Sequence, residues 1–237
     1  FQAGDGIRVV ERSRGLGDVY KRQAWPRVIV GGDSLDLWHI RGIEKRFEKW
    51  LVQETGPVFA RLGIQTGWYT VDKKVVDEKL IITAFKSSDI ARILDFEVTL
   101  TVPESPVILL GSTDGKGYGG FNYRPAPFEE PVITTVDGVQ PDSNLRRFPW
   151  ADFSARFGGN EKTSGVAIFD DTGNINTPNG WCLRQYGFLG VAWPGNNPYH
   201  LQPGKPLINR YRVWVHRGDA AQGMVSSAYR AFANPPQ

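Results

Sequence analysis

The stretch that decides the fold is residues 93–102, ILDFEVTLTV, in which apolar and polar residues alternate. The apolar members of this alternation are Leu94, Phe96, Val98, Leu100 and Val102. Successive side chains of an extended strand point to opposite faces, so a period of two predicts a strand with one buried face. Pro103 follows the stretch and is expected to end the strand, because proline cannot donate a ladder hydrogen bond.

Six further segments have the composition of short strands separated by Gly, Pro, Asp and Asn. They are residues 75–85, 107–111, 119–124, 132–136, 164–169 and 208–216. Many short strands with few helical stretches favour an all-β protein built as a sandwich of antiparallel sheets.

Two segments have helical periodicity. Ile43, Phe47, Trp50 and Leu51 fall at i, i+4, i+7 and i+8, with charged residues between them, which predicts a short amphipathic helix. Residues 221–232 predict a closing helix that ends before Pro235.

The charge pattern separates the first residues from the rest. The chain has 237 residues and a formal net charge of +3, but residues 1–23 hold five Lys/Arg and three Asp/Glu. The remainder has 23 basic and 22 acidic residues, which argues against a nucleic-acid-binding surface. We predict a non-native or disordered leader over residues 1–23 and a single β-sandwich domain over residues 24–237. A truncation that removes native N-terminal strands of this domain is an open alternative.

Cysteine and histidine usage restricts the metal chemistry. Cys182 is the only cysteine, so neither an internal disulfide nor a Cys-based zinc site is expected. His39, His200 and His216 form no local ligand pair, and no metal site is predicted from them. No apolar run reaches the roughly 18 residues of a bilayer span, so no membrane partner is predicted.

The most informative segment for function is residues 164–199, where a strand runs into a loop rich in Asn, Gly and Pro. Trp181, Arg184 and Tyr186 follow this loop closely. Aromatic faces stack on the C–H faces of sugars, while amides, carboxylates and guanidinium groups bond their hydroxyls, so the segment indicates a carbohydrate ligand. Asp170, Asp171, Asn174 and Asn176 in this segment also allow a calcium site, with an Asx-rich turn as the favoured alternative.

Three other segments carry candidate chemistry. Residues 36–42 combine an Asp, a His and an Arg, and His39 is a candidate general acid/base or a structural edge group. Trp150 and Asp152 lie two residues apart and would share one face of a strand. The glycine-rich residues 111–120 lack the Gly-Lys-Ser/Thr ending of a phosphate loop and are expected to be a hairpin connection.

These motifs together resemble a bacterial family labelled "methane oxygenase PmoA-like", a domain of unknown function. Its signature is a strand ending in Gly-Ile-Ala-Ile-Phe-Asp, an Asn/Pro loop, a Trp and Arg-x-Tyr-Gly. The matching positions here are residues 165–170, Asn174, Pro178, Trp181, Arg184, Tyr186 and Gly187.

Three shorter elements add to the resemblance. A Gly-Gly-aromatic-x-x-Arg element matches residues 119–124, and a Trp-x-Asp-aromatic-Ser element matches residues 150–154. An Asp-His-Pro-His-His-Arg-Gly motif is partly kept by Asp36, His39, Arg41 and Gly42.

The resemblance implies an antiparallel β-supersandwich similar to galactose mutarotase-like domains, with one or two short helices. That fold hosts sugar epimerases, polysaccharide lyases and some hydrolases, and relatives in glycan-degrading bacteria make a periplasmic or secreted location the expectation. Oxygenase activity is not expected, because methane monooxygenase subunits are built from membrane-spanning helices and a copper site needs clustered imidazoles.

The leading hypothesis is a carbohydrate-active enzyme, a glycan hydrolase, lyase or epimerase that works by general acid/base chemistry. The predicted catalytic residues are His39, Asp152 and Asp170. The predicted substrate-binding residues are Arg41, Arg124, Trp150, Asn174, Trp181, Arg184 and Tyr186. A non-catalytic glycan-binding module and a structural surface protein are the alternatives, and an enzyme requires these side chains to converge on one pocket.

Overall fold

The computed structural model of the protein describes residues 23–71 and 73–235. In chain order its strands are β1 (Gln23–Ala24), β2 (Arg27–Val30), β3 (Asp33–Leu35), β4 (Glu44–Thr55), β5 (Phe59–Thr70), β6 (Lys73–Phe85), β7 (Ala91–Thr101), β8 (Val107–Leu110), β9 (Gly120–Tyr123), β10 (Phe128–Thr135), β11 (Gly138–Gln140), β12 (Ser143–Arg147), β13 (Trp150–Phe157), β14 (Thr163–Asp170), β15 (Gly180–Arg184), β16 (Phe188–Val191), β17 (Tyr199–Leu201) and β18 (Leu207–Arg217). The described residues form one α-helix, α1 (Val225–Ala233). The leader predicted over residues 1–23 lies outside the described residues, except for Gln23.

The strands form three antiparallel sheets. The largest has nine strands in the order β11-β10-β13-β14-β18-β7-β6-β5-β4. A five-stranded sheet has the order β1-β9-β16-β15-β12, and a four-stranded sheet has the order β17-β8-β2-β3. Every strand pair described is antiparallel, which confirms the predicted all-β antiparallel architecture.

One hydrophobic core joins the nine-stranded sheet to the two smaller sheets. The alternation in residues 93–102 is realised in β7, whose Phe96, Val98 and Leu100 are buried in this core. Phe121 of β9 stacks on Tyr211 of β18, with ring centroids 4.4 Å apart, and so connects two sheets. Burial of these inner faces is the main favourable contribution to folding, about 1.5–3 kcal/mol for each large apolar side chain.

Three tryptophans pack together in the same core. Trp25 packs against Trp68 and Trp193, with ring centroids 5.6 and 6.2 Å away. The indole nitrogen of Trp25 donates to the Trp193 carbonyl oxygen at 2.8 Å, and Trp68 donates to the Glu78 carboxylate at 2.6 Å. The indole N–H groups of Trp25 and Trp68 therefore have acceptors, as burial requires, whereas the buried Trp193 Nε1 has no hydrogen-bond partner.

The helix predicted around residues 43–51 is wrong, because these residues form β4 at the edge of the nine-stranded sheet. Its pairing with β5 shifts register between Phe47 and Lys49 and again between Trp50 and Val52. Each β-bulge inserts one residue, so Phe47 and Trp50, three apart, lie on the same face with ring centroids 5.4 Å apart. The bulges thereby imitate helical spacing in an extended strand.

The closing helix is confirmed as α1, which covers the outer face of the nine-stranded sheet. Its Val225, Tyr229 and Phe232 pack against a second apolar cluster that includes Phe169 and Trp214. Among the described residues, no helix has the length and apolar character needed to span a bilayer.

The glycine-rich segment differs from the hairpin that was predicted. It connects β8 of the four-stranded sheet to β9 of the five-stranded sheet, strands that do not pair with each other. Gly111 donates its amide to the Gly195 carbonyl at 2.9 Å, and Ser112 donates to the Tyr118 carbonyl at 3.0 Å. The segment is therefore a closed crossing between sheets, and it delivers Tyr118 to the outer face of the five-stranded sheet.

We predict that Trp68→Ala lowers the free energy of unfolding by about 3–5 kcal/mol, because it leaves a cavity in the core and removes the indole donor from the buried Glu78 carboxylate, which keeps its ion pair with Lys45. Trp50→Ala is the matched control, since this tryptophan is 43% exposed on the neighbouring strand, and it should cost about 1 kcal/mol. Urea unfolding of both variants measures the difference, and equal losses would contradict the assignment of the core.

Candidate functional site

The loop between β3 and β4 is held closed by its own polar groups. Asp36 and Arg41 exchange backbone hydrogen bonds of 3.0 and 2.8 Å, and the Asp36 carboxylate accepts the His39 amide at 3.0 Å. The second carboxylate oxygen lies 2.7 Å from His39 Nδ1. His39 and Arg41 are exposed, while Trp38 of the same loop is half-buried against the five-stranded sheet.

Strand alternation decides which residues of β15 and β16 reach the outer surface. Trp181 and Leu183 point into the core, and Trp181 donates its indole N–H to the Phe148 carbonyl at 2.7 Å. Cys182 and Arg184 alternate with them and point to the outer face, where Arg184 pairs with Phe188 across the ladder. The predicted Trp181 stacking platform is therefore sealed in the interior.

An aromatic cluster forms on this outer face from side chains of four separate loops and two strands. We define it by Trp38, Tyr118, Arg124, Arg184, Tyr186 and Phe188. The Trp38 ring centroid lies 6.1 Å from those of Tyr118 and Phe188, and the latter two are 5.2 Å apart. Arg124 lies over the Phe188 ring at 5.0 Å, and Arg184 lies over the Tyr118 ring at 5.3 Å.

Arg184 supports the cluster from beneath. Only 7% of its surface is exposed, and its Nη1 donates to the Ser143 and Leu183 carbonyls at 2.8 Å. Nη2 donates to the Asn144 side chain at 2.5 Å, and Nε donates to the Tyr118 hydroxyl at 3.1 Å. Because all three nitrogens have protein acceptors, this guanidinium orients Tyr118 instead of offering a free clamp.

Tyr118 and Tyr186 present the polar rim of the cluster. Their hydroxyl oxygens lie 2.9 Å apart, and Tyr186 is 58% exposed. Burial, followed by the hydrogen bond with Tyr186, raises the pKa of Tyr118 above its ordinary value, although Arg184 opposes the shift. Tyr118 is thus a neutral phenol near pH 7, and the two hydroxyls are suited to hydrogen bonds with hydroxyl groups.

Cys182 lies behind the cluster and has no nucleophilic role there. It is fully buried, and burial raises the pKa of its thiol to about 11. The reactive thiolate is therefore scarce at neutral pH.

Asp170 is buried at the end of β14, far from solvent. Its carboxylate accepts the Asn174 side chain at 2.8 Å, the Thr177 hydroxyl at 3.2 Å, and the Asn179 amide and side chain at 2.8 and 3.0 Å. Burial raises the pKa of Asp170, while these donors act in the opposite direction. Asn174 also bonds both backbone groups of Arg210, so the pair anchors the loop to β18.

This arrangement also bears on the calcium alternative. Both Asp170 oxygens face N–H or O–H donors, which a cation would have to displace. In the part of the chain that the structure describes, no three His, Cys, Asp or Glu side chains are gathered as metal ligands. The residues of this loop do not fit a calcium ion, and we derive no chemistry through one.

Asp152 is likewise fully buried, and its partner is His216 of β18. The Asp152 carboxylate lies 2.7 Å from His216 Nε2 and accepts the Ser154 hydroxyl at 2.5 Å. Neither side chain of the His–Asp pair has exposed surface. A Cβ on Gly165 would lie 2.4 Å from the imidazole, and one on Gly223 would lie 2.1 Å from it, so two glycines make room for the ring.

The structure therefore separates the predicted site residues into three groups. Arg124, Arg184 and Tyr186 lie in the aromatic cluster, and His39 and Arg41 are exposed on the loop that carries Trp38. Asp152, Asp170, Asn174, Trp150 and Trp181 are buried elsewhere, and in this conformation a side chain without exposed surface cannot touch a ligand.

Sequence reasoning missed Trp38 and Phe188 as members of the cluster. Alternation across β15 and β16 carries the signal for Phe188, because it faces Arg184 in the ladder. Trp38 and Tyr118 come from loops in different sheets, and only the packed structure shows that they meet.

Residues 23–230 match a family described only as a family of unknown function. This agrees with the predicted domain of unknown function, and it does not test the oxygenase label. No curated protein matches the chain.

Several solved structures are similar to this chain at low identity. The GH36 α-galactosidase AgaA from Geobacillus stearothermophilus in complex with raffinose is 10% identical, with a TM-score of 0.46, over 81% of this chain and 30% of that one. A putative kojibiose phosphorylase from the human microbiome is 11% identical, with a TM-score of 0.41, over 87% of this chain and 23% of that one. A galactose mutarotase related enzyme from Lactobacillus acidophilus is 12% identical, with a TM-score of 0.24, over 80% and 78%. The chain thus spans less than a third of the first two proteins.

We predict that His216→Ala destabilises the protein by about 3–5 kcal/mol, because it leaves the Asp152 carboxylate buried without its partner. His200→Ala removes an exposed imidazole and should change stability by less than about 0.5 kcal/mol. Chemical denaturation compares the two variants, and an unchanged midpoint for His216→Ala would show that the pair is dispensable.

Proposed function

Because the chain belongs to DUF6807, a family of unknown function, its role has to be inferred from the site, and we propose that it binds carbohydrate. The glycan lies against the aromatic cluster on the outer face of the five-stranded sheet. The observation that carries this proposal is the Trp38–Tyr118–Tyr186 surface, which combines aromatic faces with hydroxyls held 2.9 Å apart.

The chemistry of this surface matches that of a sugar ring. A pyranose has C–H faces that pack on aromatic rings and a rim of hydroxyls that both donate and accept hydrogen bonds. The Tyr118 and Tyr186 hydroxyls can do the same, and half-buried Arg124 adds a guanidinium donor. Arg184 keeps this geometry in place, so little ordering is needed when the ligand binds.

Binding without catalysis is the reading that this geometry supports best. The carboxylates expected to act in catalysis, Asp152 and Asp170, have no exposed surface and are saturated by protein partners. A paired acid and base flanking a glycosidic bond would need two accessible groups. Of the predicted catalytic residues only His39 is exposed, on the loop that carries Trp38, and its Nδ1 lies 2.7 Å from the Asp36 carboxylate.

That pair supports a second candidate function, an enzyme with His39 as its acid/base. When Nδ1 donates to the Asp36 carboxylate, Nε2 is left as the acceptor that a general base needs. If the protein is such an enzyme, we expect His39→Ala to abolish product formation from a panel of glycans, while glycan binding to the aromatic cluster persists. Absence of any product with the wild type between pH 5 and about pH 8 would refute it.

We predict that Trp38→Ala and Tyr186→Ala each weaken glycan binding by about tenfold, since each removes a stacking surface or a hydrogen-bonding rim. A glycan array identifies the ligand, and titration calorimetry measures its affinity for each variant. Trp50→Ala, which removes an exposed indole outside the cluster, is the control and should bind like the wild type. Equal binding by all variants would refute the proposed site.

A further inference from the structure

A groove of about 520 Å³ lies on the opposite side of the sandwich, across the outer face of the nine-stranded sheet. Strands β4, β5, β6, β7 and β18 form its base, and the C-terminal end of α1 forms one wall through Phe232. Asp171, directly after β14, contributes to the same boundary. The volume falls within the range of about 300–1,000 Å³ that is typical of ligand pockets.

Two neighbouring rows of side chains line the groove. In one row, Arg61, Thr83 and Asp95 are cross-strand partners on β5, β6 and β7. In the next row, Ile81 and Glu97 are partners, and Val52 and Ile81 both face Gly63.

Gly63 lets the groove have an apolar floor. A Cβ at this position would lie 2.6 Å from both Val52 Cγ1 and Ile81 Cδ1. Because the glycine has no side chain, these two apolar groups close over it. The half-buried Phe232 ring adds a further apolar surface at the wall.

The rim of the groove is charged but largely neutralised. Asp95 accepts two hydrogen bonds of 2.7 Å from Arg212, and Glu97 accepts one of 2.8 Å from Arg210. These pairs leave no excess of positive charge to attract an anion, yet their remaining lone pairs and N–H groups can bond a polar ligand.

Of the two arginines that line the groove, Arg61 has longer polar contacts than Arg210. It lies 3.8 Å from the Glu54 carboxylate, its hydrogen bond to Thr83 is long at 3.4 Å, and its side chain is 43% exposed. Asp171 is half-buried on the other side, with one carboxylate oxygen accepting the Gly173 amide. A ligand between them would meet a donor and an acceptor at opposite walls.

We propose that this groove is a second binding site, which takes a neutral mono- or oligosaccharide. An apolar floor beneath a rim of balanced donors and acceptors fits a sugar, whose C–H face and hydroxyls make the same division. The choice of ligand class rests on the proposed carbohydrate function, whereas the site shares no residue with the aromatic cluster.

The test is titration calorimetry with neutral di- to tetrasaccharides of glucose, galactose, mannose and xylose. The proteins are the wild type, a Trp38→Ala/Tyr186→Ala double variant, Arg61→Ala, and Thr83→Trp, which fills the groove. Arg92→Ala is the matched control, because it removes an exposed arginine from the same sheet outside the groove. Circular dichroism confirms that each variant is folded.

The expected result is a binding event that persists in the Trp38→Ala/Tyr186→Ala variant and is insensitive to Arg92→Ala. Arg61→Ala should weaken that event by about tenfold or more, since it removes a charged hydrogen-bond donor, and Thr83→Trp should abolish it. The groove site is overturned if no sugar binds the double variant, or if binding there is unchanged by both groove substitutions. If the groove substitutions abolish sugar binding and the cluster substitutions do not change it, the proposed cluster site is refuted and the groove site stands.

Discussion

The alternation of side chains along β15 is the constraint on which the candidate site depends. Trp181 and Leu183 must fill the core between two sheets, so Cys182 and Arg184 are forced to the outer face. A shift of one residue in the register would exchange these sets, placing a tryptophan on the outer face and a guanidinium in the core. Because Trp181 packs in the core, alternation along β15 places Arg184 on the outer face. Arg184 in turn orients Tyr118.

The buried polar residues of the C-terminal half connect the strands and their loops. Asp170 gathers donors from the loop that follows β14, and Asn174 connects this loop to β18. Asp152 and His216 connect β13 to β18 across β14, where Gly165 leaves space for the imidazole. A buried carboxylate without such partners would be costly, so the same pairs that occupy these groups also keep them from a ligand.

The two outer faces of the sandwich differ in chemistry. The aromatic cluster offers rings and phenols on the five-stranded sheet, whereas the groove on the nine-stranded sheet offers an apolar floor under ion pairs. Both faces have the combination of apolar surface and directed polar groups that a saccharide needs, and each is supported by elements of the regular structure. A protein with two such faces could hold separate parts of one glycan or two glycans.

The sequence by itself determined the antiparallel β architecture and the closing helix, because alternation and turn residues are local properties. The helix predicted for residues 43–51 is wrong because β-bulges give this edge strand the spacing of a helix. The bulges are visible only in the pairing of β4 with β5. The tertiary structure decided which candidates could meet a ligand, since burial depends on what packs over each face. It brought Trp38 and Tyr118 to Phe188 from distant loops, and it enclosed Asp152 and Asp170 under contacts that no local pattern encodes.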